Sequence, residues 1–453
     1  MYRKIEEKIE KWIHSSRNAL LITGARQVGK TYIIREVAEK HFESIIEINF
    51  YENELARKTL QGAVNAKDIL LRISAITNKE LIPGKTLIFL DEVQEYPEIV
   101  TAIKFLVEEG SYRYVLSGSL LGVELKGIAS VPVGYVNIEK MYPMDFQEFC
   151  IANGVSKNVL AHLKDCFMQI KEVDEVIHEA ILKLYYLYLI VGGMPAVVKK
   201  YLETNNLQDV VEEQEYISKQ YKEDIAKYDP QEKIFLRDIY DLIPSELNEQ
   251  NKKFKLNSLK NGMRFDRAEN AFLWLTDAGV AHPIYCANQP KTPLILSKAR
   301  NQMKLFLCDV GLLASMYSKN IQIQLLNREL DINYGGIFEN AVAQELISHN
   351  LSLYYYKNNR LGEIDFLTEI DGALVPIEVK SGKNYKVHSA LNNLLNSPEY
   401  QIEKAYIFSD YNVSRENKKI YIPIYMTMFL ENKKQESLVY SIDLTDLDKR
   451  LNS

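Results

Sequence analysis

The stretch LLITGARQVGKTYIIREVAEK, residues 20–40, joins an apolar run to a helical pattern through a glycine-rich loop. The loop has the spacing G-x-x-x-x-G-K-T, in which two glycines let the backbone curl and turn its N–H groups toward phosphates. The lysine can reach the β- and γ-phosphates, and the threonine hydroxyl can bind magnesium. The sequence therefore predicts a site for ATP and Mg²⁺ formed by Gly24, Ala25, Arg26, Gln27, Val28, Gly29, Lys30 and Thr31.

A second motif, TLIFLDEVQ at residues 86–94, ends a buried strand in two acids. Asp91 is predicted to hold the magnesium ion, and Glu92 to polarise the water that attacks the γ-phosphate. The next strand candidate, YRYVLSGS, brings Ser117 to the same sheet edge, where it either senses the γ-phosphate or belongs to a strand-end turn. The candidate catalytic residues of this site are thus Lys30 and Glu92, with Thr31 and Asp91 as metal ligands.

Residues 15–145 alternate short apolar runs with helical patterns, which is typical of crossover units in a buried parallel sheet. The strand candidates are 19–23, 44–50, 86–93, 112–119 and 135–143. Helical patterns lie near 29–41, 66–78 and 97–109. We therefore predict an α/β fold here, with one extra strand between the loop strand and the acidic strand.

Residues 251–305 are basic within a chain whose net charge is −6. They contain ten basic residues and three acids, a net charge of +7. The basic residues are Lys252, Lys253, Lys255, Lys260, Arg264, Arg267, Lys291, Lys298, Arg300 and Lys304. The segment 253–286 has the order helix, turn, helix and strand, which is typical of a winged helix. Contact with DNA phosphates is one interpretation. A solvated basic face and a surface for protein contacts are the alternatives.

Residues 335–430 combine a helical pattern with strand candidates that carry three acids and a lysine. Glu378 and Lys380 share one face of a strand because side chains alternate along it, and Asp365 lies thirteen positions earlier, as in a hairpin. With Glu339 in the preceding helix, Asp365 and Glu378 could bind magnesium while Lys380 orients or activates a water. An exposed strand face with mixed charges is the alternative.

The strand order of residues 1–150 resembles the AAA+ branch of P-loop ATPases. Segments spread over nearly the whole chain resemble a widespread family of bacterial and archaeal ATPases. They are GARQVGKT, IFLDEVQ, LSGS, MYPMDFQEF, VGGMPAVV, CDVGLL and FENAVAQEL…GEIDF…PIEVKSG. In that family an AAA+ module is joined to a C-terminal domain of uncharacterised function. The C-terminal pattern itself resembles the restriction-endonuclease-like, PD-(D/E)xK, nucleases.

The chain departs from these relatives in one place. They often carry an arginine after a glycine just before the YP segment, whereas Tyr135 follows Gly134 here. An arginine at that point is a natural arginine finger, which stabilises charge on the transferred phosphoryl group. Arg113 or an arginine of the helical region is a substitute, and a slow hydrolase in which ATP binding acts as a switch is the alternative.

These patterns predict four units. They are an AAA+ P-loop ATPase domain at 1–150, a helical lid at 151–230, a winged-helix-like basic region at 231–330 and a restriction-endonuclease-like α/β domain at 331–453. Four scattered cysteines, without paired spacing, are typical of reduced core residues in a cytoplasmic protein. No apolar run has the length and continuity to span a bilayer, so no membrane partner is expected.

Two functions of different classes fit these patterns. The first is an ATPase that is coupled to a nuclease-like domain and acts on DNA, with ATP and Mg²⁺ as cofactors and a homo-oligomer as one form of assembly. The second is a nucleotide-switched signalling or scaffold protein whose C-terminal domain is a catalytically inactive binding module. The absent glycine-adjacent arginine and the lack of a basic excess in residues 336–453 favour the second.

Overall fold

The computed structural model describes most of the 453-residue chain. The described residues are 1–118, 132, 134–228, 233–249, 253–255, 265–317, 320–328, 335–382, 386–433 and 440–442. Four of the basic residues considered for DNA contact, Lys252, Lys260, Arg264 and the side chain of Arg267, lie outside this part.

Within the described residues, the N-terminal part holds a parallel sheet of five strands in the order β2-β3-β4-β1-β5. The strands are β1 Ala19–Thr23, β2 Ser44–Asn49, β3 Thr86–Asp91, β4 Arg113–Gly118 and β5 Val136–Lys140. The helices are α1 Ile5–Ser15, α2 Lys30–His41, α3 Glu54–Leu60, α4 Ala66–Thr77 and α5 Glu98–Glu109. The predicted α/β fold of this part, including the extra strand β4 between β1 and β3, is confirmed.

The central strands of this sheet are apolar on both faces because helices cover both faces. Every residue of β1 and of β3 is buried. Successive side chains point to opposite sides, so Leu20 and Ile22 join one core cluster while Leu21 joins another. The sheet thereby fixes the carboxyl ends of its strands along one edge, and the polar residues of the predicted ATP site follow those ends.

A helical region follows the sheet. Its helices are α6 Phe146–Ala152, α7 Lys157–Gln169, α8 Glu175–Val191, α9 Pro195–Thr204, α10 Leu207–Tyr228 and α11 Lys233–Asn248. Asp145 starts α6 with a capping box, in which its side chain accepts from the Glu148 N–H and the Glu148 side chain accepts in return. Among the described residues, no single helix is long and apolar enough to cross a membrane, although the sharply bent pair α8 and α9 passes that test of length and composition.

The remaining strands form a mixed sheet of eight strands among the described residues, in the order β12-β13-β11-β10-β9-β8-β6-β7. The strands are β6 Ala281–Ala287, β7 Lys298–Leu307, β8 Tyr354–Asn358, β9 Gly362–Ile370, β10 Ala373–Val379, β11 Ala405–Ser409, β12 Ser414–Glu416 and β13 Lys419–Pro423. The helices are α12 Phe265–Asp277, α13 Val310–Ser315, α14 Asn320–Leu326, α15 Gly335–Ser348 and α16 Ser389–Leu395.

The hairpin β6–β7 belongs to this sheet. It follows α12, as in the predicted winged helix, and β6 pairs in parallel with β8 of the C-terminal region. The sheet therefore crosses the boundary predicted at residue 330, and one continuous core cluster runs from Ile5 to Leu430. The winged-helix and restriction-endonuclease-like assignments stay predictions.

Two glycine-containing segments of the middle region pack against each other at a buried aspartate. Asp309 accepts hydrogen bonds from the N–H of Gly193 at 2.6 Å and of Leu312 at 3.0 Å. A Cβ on Gly193 would lie 2.0 Å from the Met144 carbonyl oxygen, so only glycine fits there. The segment VGGMPAVV thus forms a packing turn, and its Pro195 lies close enough to the glycine-rich loop that a Cβ on Gly29 would be 3.6 Å from it.

Candidate functional site

The glycine-rich loop connects β1 to α2, as its sequence requires. Gly24 and Gly29 have φ values of 150° and 94°, and a Cβ on Gly24 would lie 2.2 Å from the Met141 carbonyl oxygen. The buried Lys30 ammonium donates to the carbonyls of Gly24 at 3.0 Å and Ala25 at 2.9 Å. Burial lowers the pKa of Lys30, so its charge is costly without an anionic partner.

Asp91 accepts hydrogen bonds from several polar residues at the carboxyl edge of the sheet. Its carboxylate accepts from the Thr31 hydroxyl at 3.1 Å, from the Asn49 side chain at 3.1 Å and from the Ser117 hydroxyl. Burial raises the pKa of Asp91, while the Ser117 hydrogen bond opposes the rise. Three residues singled out from the sequence, Thr31, Asp91 and Ser117, therefore meet at one point. Asn49 was missed because β2 carries no motif.

A cleft of about 310 Å³ opens beside these residues. Its lining is polar and consists of Arg26, Asn49, Tyr51, Glu52, Glu92, Gln220, Glu223 and Asp224. Glu92 follows Asp91 with a positive φ of 54°, a backbone conformation that turns its side chain out of the strand pattern. The Glu92 carboxylate accepts from the side chain of Gln94.

Helix α10 covers the glycine-rich loop. Asp224 pairs with Arg26, Gln220 accepts from the Gln27 side chain, and the Tyr221 hydroxyl donates to the Arg26 carbonyl at 3.0 Å. These contacts join positions almost two hundred residues apart, so sequence reasoning could not find them. The helical region thus reaches over the loop as the predicted lid would.

The N-terminus holds the loop from the other side. The buried Arg3 guanidinium donates to the Val28 carbonyl at 2.8 Å and the Tyr142 carbonyl at 2.6 Å, and it pairs with Glu148 at 3.1 Å. No motif signals this arginine.

Arg113, considered as an arginine finger, points away from this site. It lies at the first residue of β4, and in a parallel sheet that end is opposite the edge where Ser117 and Asp91 meet. Its guanidinium donates to the carbonyls of Trp12 at 3.2 Å and Ile13 at 3.3 Å and stacks over the Trp12 ring. Within one copy of the chain, Arg113 therefore does not reach the nucleotide site.

The C-terminal acids come together on the hairpin of β9 and β10. Phe366 pairs with Ile377, which places Asp365 beside Glu378, and the Asp365 carboxylate accepts from the Val379 N–H at 2.9 Å. Glu378 is 4% exposed and pairs with Lys380 at 2.8 Å. Glu378 is therefore buried, whereas Asp365 and Lys380 on the same hairpin keep partial exposure.

Glu339 on α15 is buried against the same hairpin and influences the charges of Glu378 and Lys380. Burial, together with Asp365, raises the pKa of Glu378 to about 8. Burial would lower the pKa of Lys380, but Glu378 and Asp365 raise it above its usual value. The predicted set of Glu339, Asp365, Glu378 and Lys380 is thus one electrostatic cluster.

A lysine that was assigned to the DNA surface lies inside this cluster. Lys304 on β7 is fully buried, 3.0 Å from a Glu363 oxygen and 3.6 Å from a Glu339 oxygen. Although burial opposes its charge, Glu339 and Glu363 hold its pKa above the usual value. Its assignment to the DNA surface is wrong, because no phosphate can reach a buried side chain.

The other described basic residues of 251–305 are accessible, and several have partners. Lys255 pairs with Glu249 at 2.7 Å and Lys291 with Glu399 at 3.8 Å. Lys298 lies over the Tyr285 ring, and Arg300 is exposed two residues further along β7. Partners of this kind reduce the charge that remains for phosphates.

The pH dependence of stability should change when Glu378 is replaced by glutamine. The pKa of Glu378 in the folded state, about 8, lies above its ordinary value of 4.5. Between these two pH values the folded state therefore keeps a proton on Glu378 that the unfolded state has lost. The free energy of unfolding of the wild type consequently falls as pH rises from 4.5 to 8. Glutamine mimics the protonated acid. We expect the unfolding free energy of Glu378→Gln, relative to wild type, to rise with pH by up to about 1.4 kcal/mol per pH unit.

Urea unfolding at pH 5, 6, 7 and 8 measures this difference. The matched control is Glu416→Gln, because Glu416 is an exposed residue whose pKa is lowered by Lys419. A difference between Glu378→Gln and wild type that stays constant over this range contradicts the buried, protonated state of Glu378.

Comparison with known families agrees with the N-terminal geometry. Residues 16–150 match the family model described as an AAA domain. Residues 182–324 and 334–427 match two domains of unknown function, DUF8612 and DUF4143. The predicted AAA part is therefore confirmed. No curated protein matches the sequence.

Comparison with solved structures gives distant matches. A Walker-type ATPase of Pyrococcus abyssi is 14% identical, with 69% of this chain and 95% of that chain covered and a TM-score of 0.42. The Orc1 protein of Aeropyrum pernix in complex with DNA is 12% identical, with coverages of 71% and 92% and a TM-score of 0.27. A STAND protein with a tetratricopeptide repeat sensor from Pyrococcus horikoshii is 11% identical, with coverages of 77% and 49% and a TM-score of 0.26. At such low TM-scores nothing about function or partners follows.

Proposed function

We propose that the protein is a Mg²⁺-dependent ATPase coupled to a nuclease-like site that acts on DNA. The observation that carries the ATPase part is the convergence of the Thr31, Asn49 and Ser117 side chains on Asp91, beside a loop with the phosphate-binding spacing. An ATPase needs these groups at one edge of the sheet, and β1, β2, β3 and β4 deliver them there.

In this proposal the residues around the glycine-rich loop have different roles in binding and hydrolysing ATP. The loop N–H groups and Lys30 bind the phosphates, and burial of Lys30 makes an anionic partner favourable. Glu92 orients the attacking water, while Ser117 reports the γ-phosphate to Asp91. Helix α10 closes over the nucleotide through Arg26.

The side chains around Asp91 fit a magnesium ion, because the hydroxyl of Thr31 and the carboxylate of Asp91 offer only oxygen ligands. When bound, Mg²⁺ would neutralise charge on the phosphate oxygens. Asp91 holds the Thr31 hydroxyl in place, and Asn49 keeps the carboxylate oriented toward it.

The C-terminal cluster supports a metal-dependent nuclease-like site. Asp365 and Glu378 would hold the ion with their oxygens, and Lys380 would orient the water that attacks a DNA phosphate. When bound, such an ion would offset the charge of the phosphate and lower the pKa of a water. Glu339 would contribute through the buried position it takes beside Glu378.

DNA would approach through the accessible basic residues of 251–305. We expect the triple variant Lys253→Ala, Lys298→Ala, Arg300→Ala to weaken DNA binding uniformly across sequences and to reduce the salt slope by about 3, since each lost phosphate contact removes about 1. Fluorescence anisotropy of a labelled duplex between 50 and 200 mM salt, values chosen to span the range where such contacts matter, measures both effects.

The matched control is Lys304→Met, because Lys304 is buried. In the folded variant the salt slope should stay that of wild type. A triple variant with the wild-type affinity and salt slope would contradict DNA contact through this region.

A second function is favoured by one observation. Lys304 already places a positive charge 3.6 Å from the Glu339 carboxylate, which reduces the need of the cluster for a metal ion. The protein would then be a nucleotide-switched signalling or scaffold protein with an inactive nuclease-fold module. Light scattering with and without ATP separates the two, because a working AAA+ motor is expected to assemble into a homo-oligomeric ring and a switch to remain a monomer.

A further inference from the structure

Three potential metal ligands meet where the AAA domain contacts helix α15. Asp145 is the last residue before α6, Glu345 lies in the last turn of α15, and His349 directly follows that helix, with its N–H donating to the Glu345 carbonyl at 3.2 Å. One ligand atom from each residue lies within 4.8 Å of the ligand atoms of the other two. Among the described residues, this trio is the one group of three His, Cys, Asp or Glu side chains whose ligand atoms lie that close together. The acids predicted for the nuclease-like site do not form such a group.

Two atoms of this trio are buried without a hydrogen-bond partner. They are Oε1 of Glu345 and Nε2 of His349, which lie 3.6 Å apart in side chains that are 4% and 8% exposed. Buried polar atoms without partners are rare, because each one loses the hydrogen bonds it makes to water. Here two such atoms face each other, and a single ligand bound by both would satisfy them.

The remaining atoms of both side chains are anchored. Glu345 accepts the Phe146 N–H at 3.0 Å through Oε2, and His349 Nδ1 lies 2.9 Å from the Leu430 carbonyl. A carbonyl can only accept, so Nδ1 carries the proton and Nε2 presents its lone pair to Glu345. A histidine that donates one ring N–H to a backbone carbonyl while the other nitrogen faces a carboxylate is arranged as metal-binding histidines are.

The separation distinguishes an ion from a shared proton. A carboxylic acid that donates to a ring nitrogen brings the two atoms to about 2.7 to 2.9 Å. Two ligands at about 2.0 to 2.1 Å from a tetrahedral ion are separated by about 3.4 Å. The 3.6 Å between Glu345 and His349 is closer to the second value.

The charges around the trio leave room for a cation. Lys4 pairs with Asp145 at 2.6 Å, and Arg3 pairs with Glu148 at 3.1 Å, so each of these acids has one basic partner. Among the described residues no lysine or arginine forms an ion pair with Glu345, whose basic neighbour at 3.6 Å is the His349 ring. A divalent ion would stabilise the ionised Glu345 carboxylate.

We propose that Asp145, Glu345 and His349 bind one divalent transition-metal ion of the Zn²⁺ or Mn²⁺ class. One nitrogen and two carboxylate ligands suit these ions, whereas Mg²⁺ prefers oxygen ligands alone. The ion joins the AAA domain, through Asp145, to the helix that carries Glu339. It therefore ties the two proposed catalytic regions together without taking part in either reaction.

Calorimetric titration of the full-length protein with Zn²⁺, in excess Mg²⁺ to occupy oxygen-only sites, tests this proposal. Wild type is expected to bind one Zn²⁺, and Glu345→Gln and His349→Ala are expected to bind it at least about 100-fold more weakly. Co²⁺ in the same protein should give the visible absorption of a four- or five-coordinate ion, and Zn²⁺ should raise the melting temperature of wild type but not of Glu345→Gln. His388→Ala, which changes another buried histidine with unpartnered ring nitrogens, is the control and should bind like wild type.

Three results overturn the proposal. They are absence of Zn²⁺ and Co²⁺ binding by wild type, wild-type affinity in folded Glu345→Gln, and wild-type affinity in folded His349→Ala. If His349→Ala does not fold by circular dichroism, the wild-type Co²⁺ spectrum and Glu345→Gln decide the matter. Absence of metal binding would leave a buried proton on Glu345 as the explanation of the unpartnered atoms.

Discussion

Replacing Lys30 with alanine is expected to lower the rate of ATP hydrolysis by about 100-fold or more. The Lys30 ammonium is buried and its hydrogen-bond partners among the described residues are two neutral loop carbonyls, so an anionic phosphate is the partner that its burial favours. Alanine removes the charge that would stabilise the transferred phosphoryl group while leaving the loop glycines in place. Phosphate release at saturating ATP and Mg²⁺ measures the loss.

The matched control lies on the same helix. Lys40 is at the other end of α2, where it pairs with Glu6 at 2.5 Å on the surface. Lys40→Ala should hydrolyse ATP at close to the wild-type rate. If Lys30→Ala binds and hydrolyses ATP as wild type does, the nucleotide site is not at this loop.

Replacing Glu378 with glutamine should lower the rate of metal-dependent DNA cleavage by about 100-fold or more and leave ATP hydrolysis intact. Glutamine keeps the shape of the side chain but can supply no negative charge to an ion shared with Asp365. ATP hydrolysis should persist, because the residues proposed for it lie on other elements, which are the loop after β1, α2, β2, β3, β4 and α10.

Cleavage of a labelled duplex in Mg²⁺ or Mn²⁺ measures this effect. Glu416→Gln serves as the control, since it removes an exposed carboxylate from β12 of the same sheet. Equal cleavage by wild type and Glu378→Gln would assign any nuclease activity to another site or to a contaminant.

The AAA part could be predicted from sequence because its signals are local. The loop spacing, the apolar strands and the acid that ends β3 all lie within short stretches, and a parallel sheet brings its strand ends to one edge. Thr31, Asp91 and Ser117 were found for that reason. Asn49, Tyr221 and Arg3 were missed because their roles depend on partners far along the chain.

The C-terminal cluster was found in part for the same reason. Asp365 and Glu378 meet because a hairpin fixes their register. Lys304 was misjudged because a count of charges cannot show which face of β7 is covered, and the carboxylate that pairs with it, Glu339, arrives from α15. The basic excess of residues 251–305 is therefore a weaker signal for DNA than its size implies.

The contacts of Arg3 offer a physical link between the two proposed sites. Arg3 joins the Val28 carbonyl to Glu148, Glu148 caps α6 with Asp145, and Glu345 accepts from the first N–H of α6. Glu345 lies on α15, six positions after Glu339, which is about 1.7 helical turns. Movement of the loop on nucleotide binding would therefore reach the acidic cluster through packed, hydrogen-bonded groups.

The measurement that tests the coupling of the two sites most directly is DNA cleavage with and without ATP. Linear, single-stranded and branched DNA would be incubated in Mg²⁺ or Mn²⁺ with wild type, Lys30→Ala and Glu378→Gln. We predict that wild type cleaves at least one substrate in an ATP-dependent manner, that Lys30→Ala loses the dependence on ATP, and that Glu378→Gln loses cleavage. Intact ATP hydrolysis by a wild-type protein that cleaves no substrate would contradict the coupling and favour the inactive binding module.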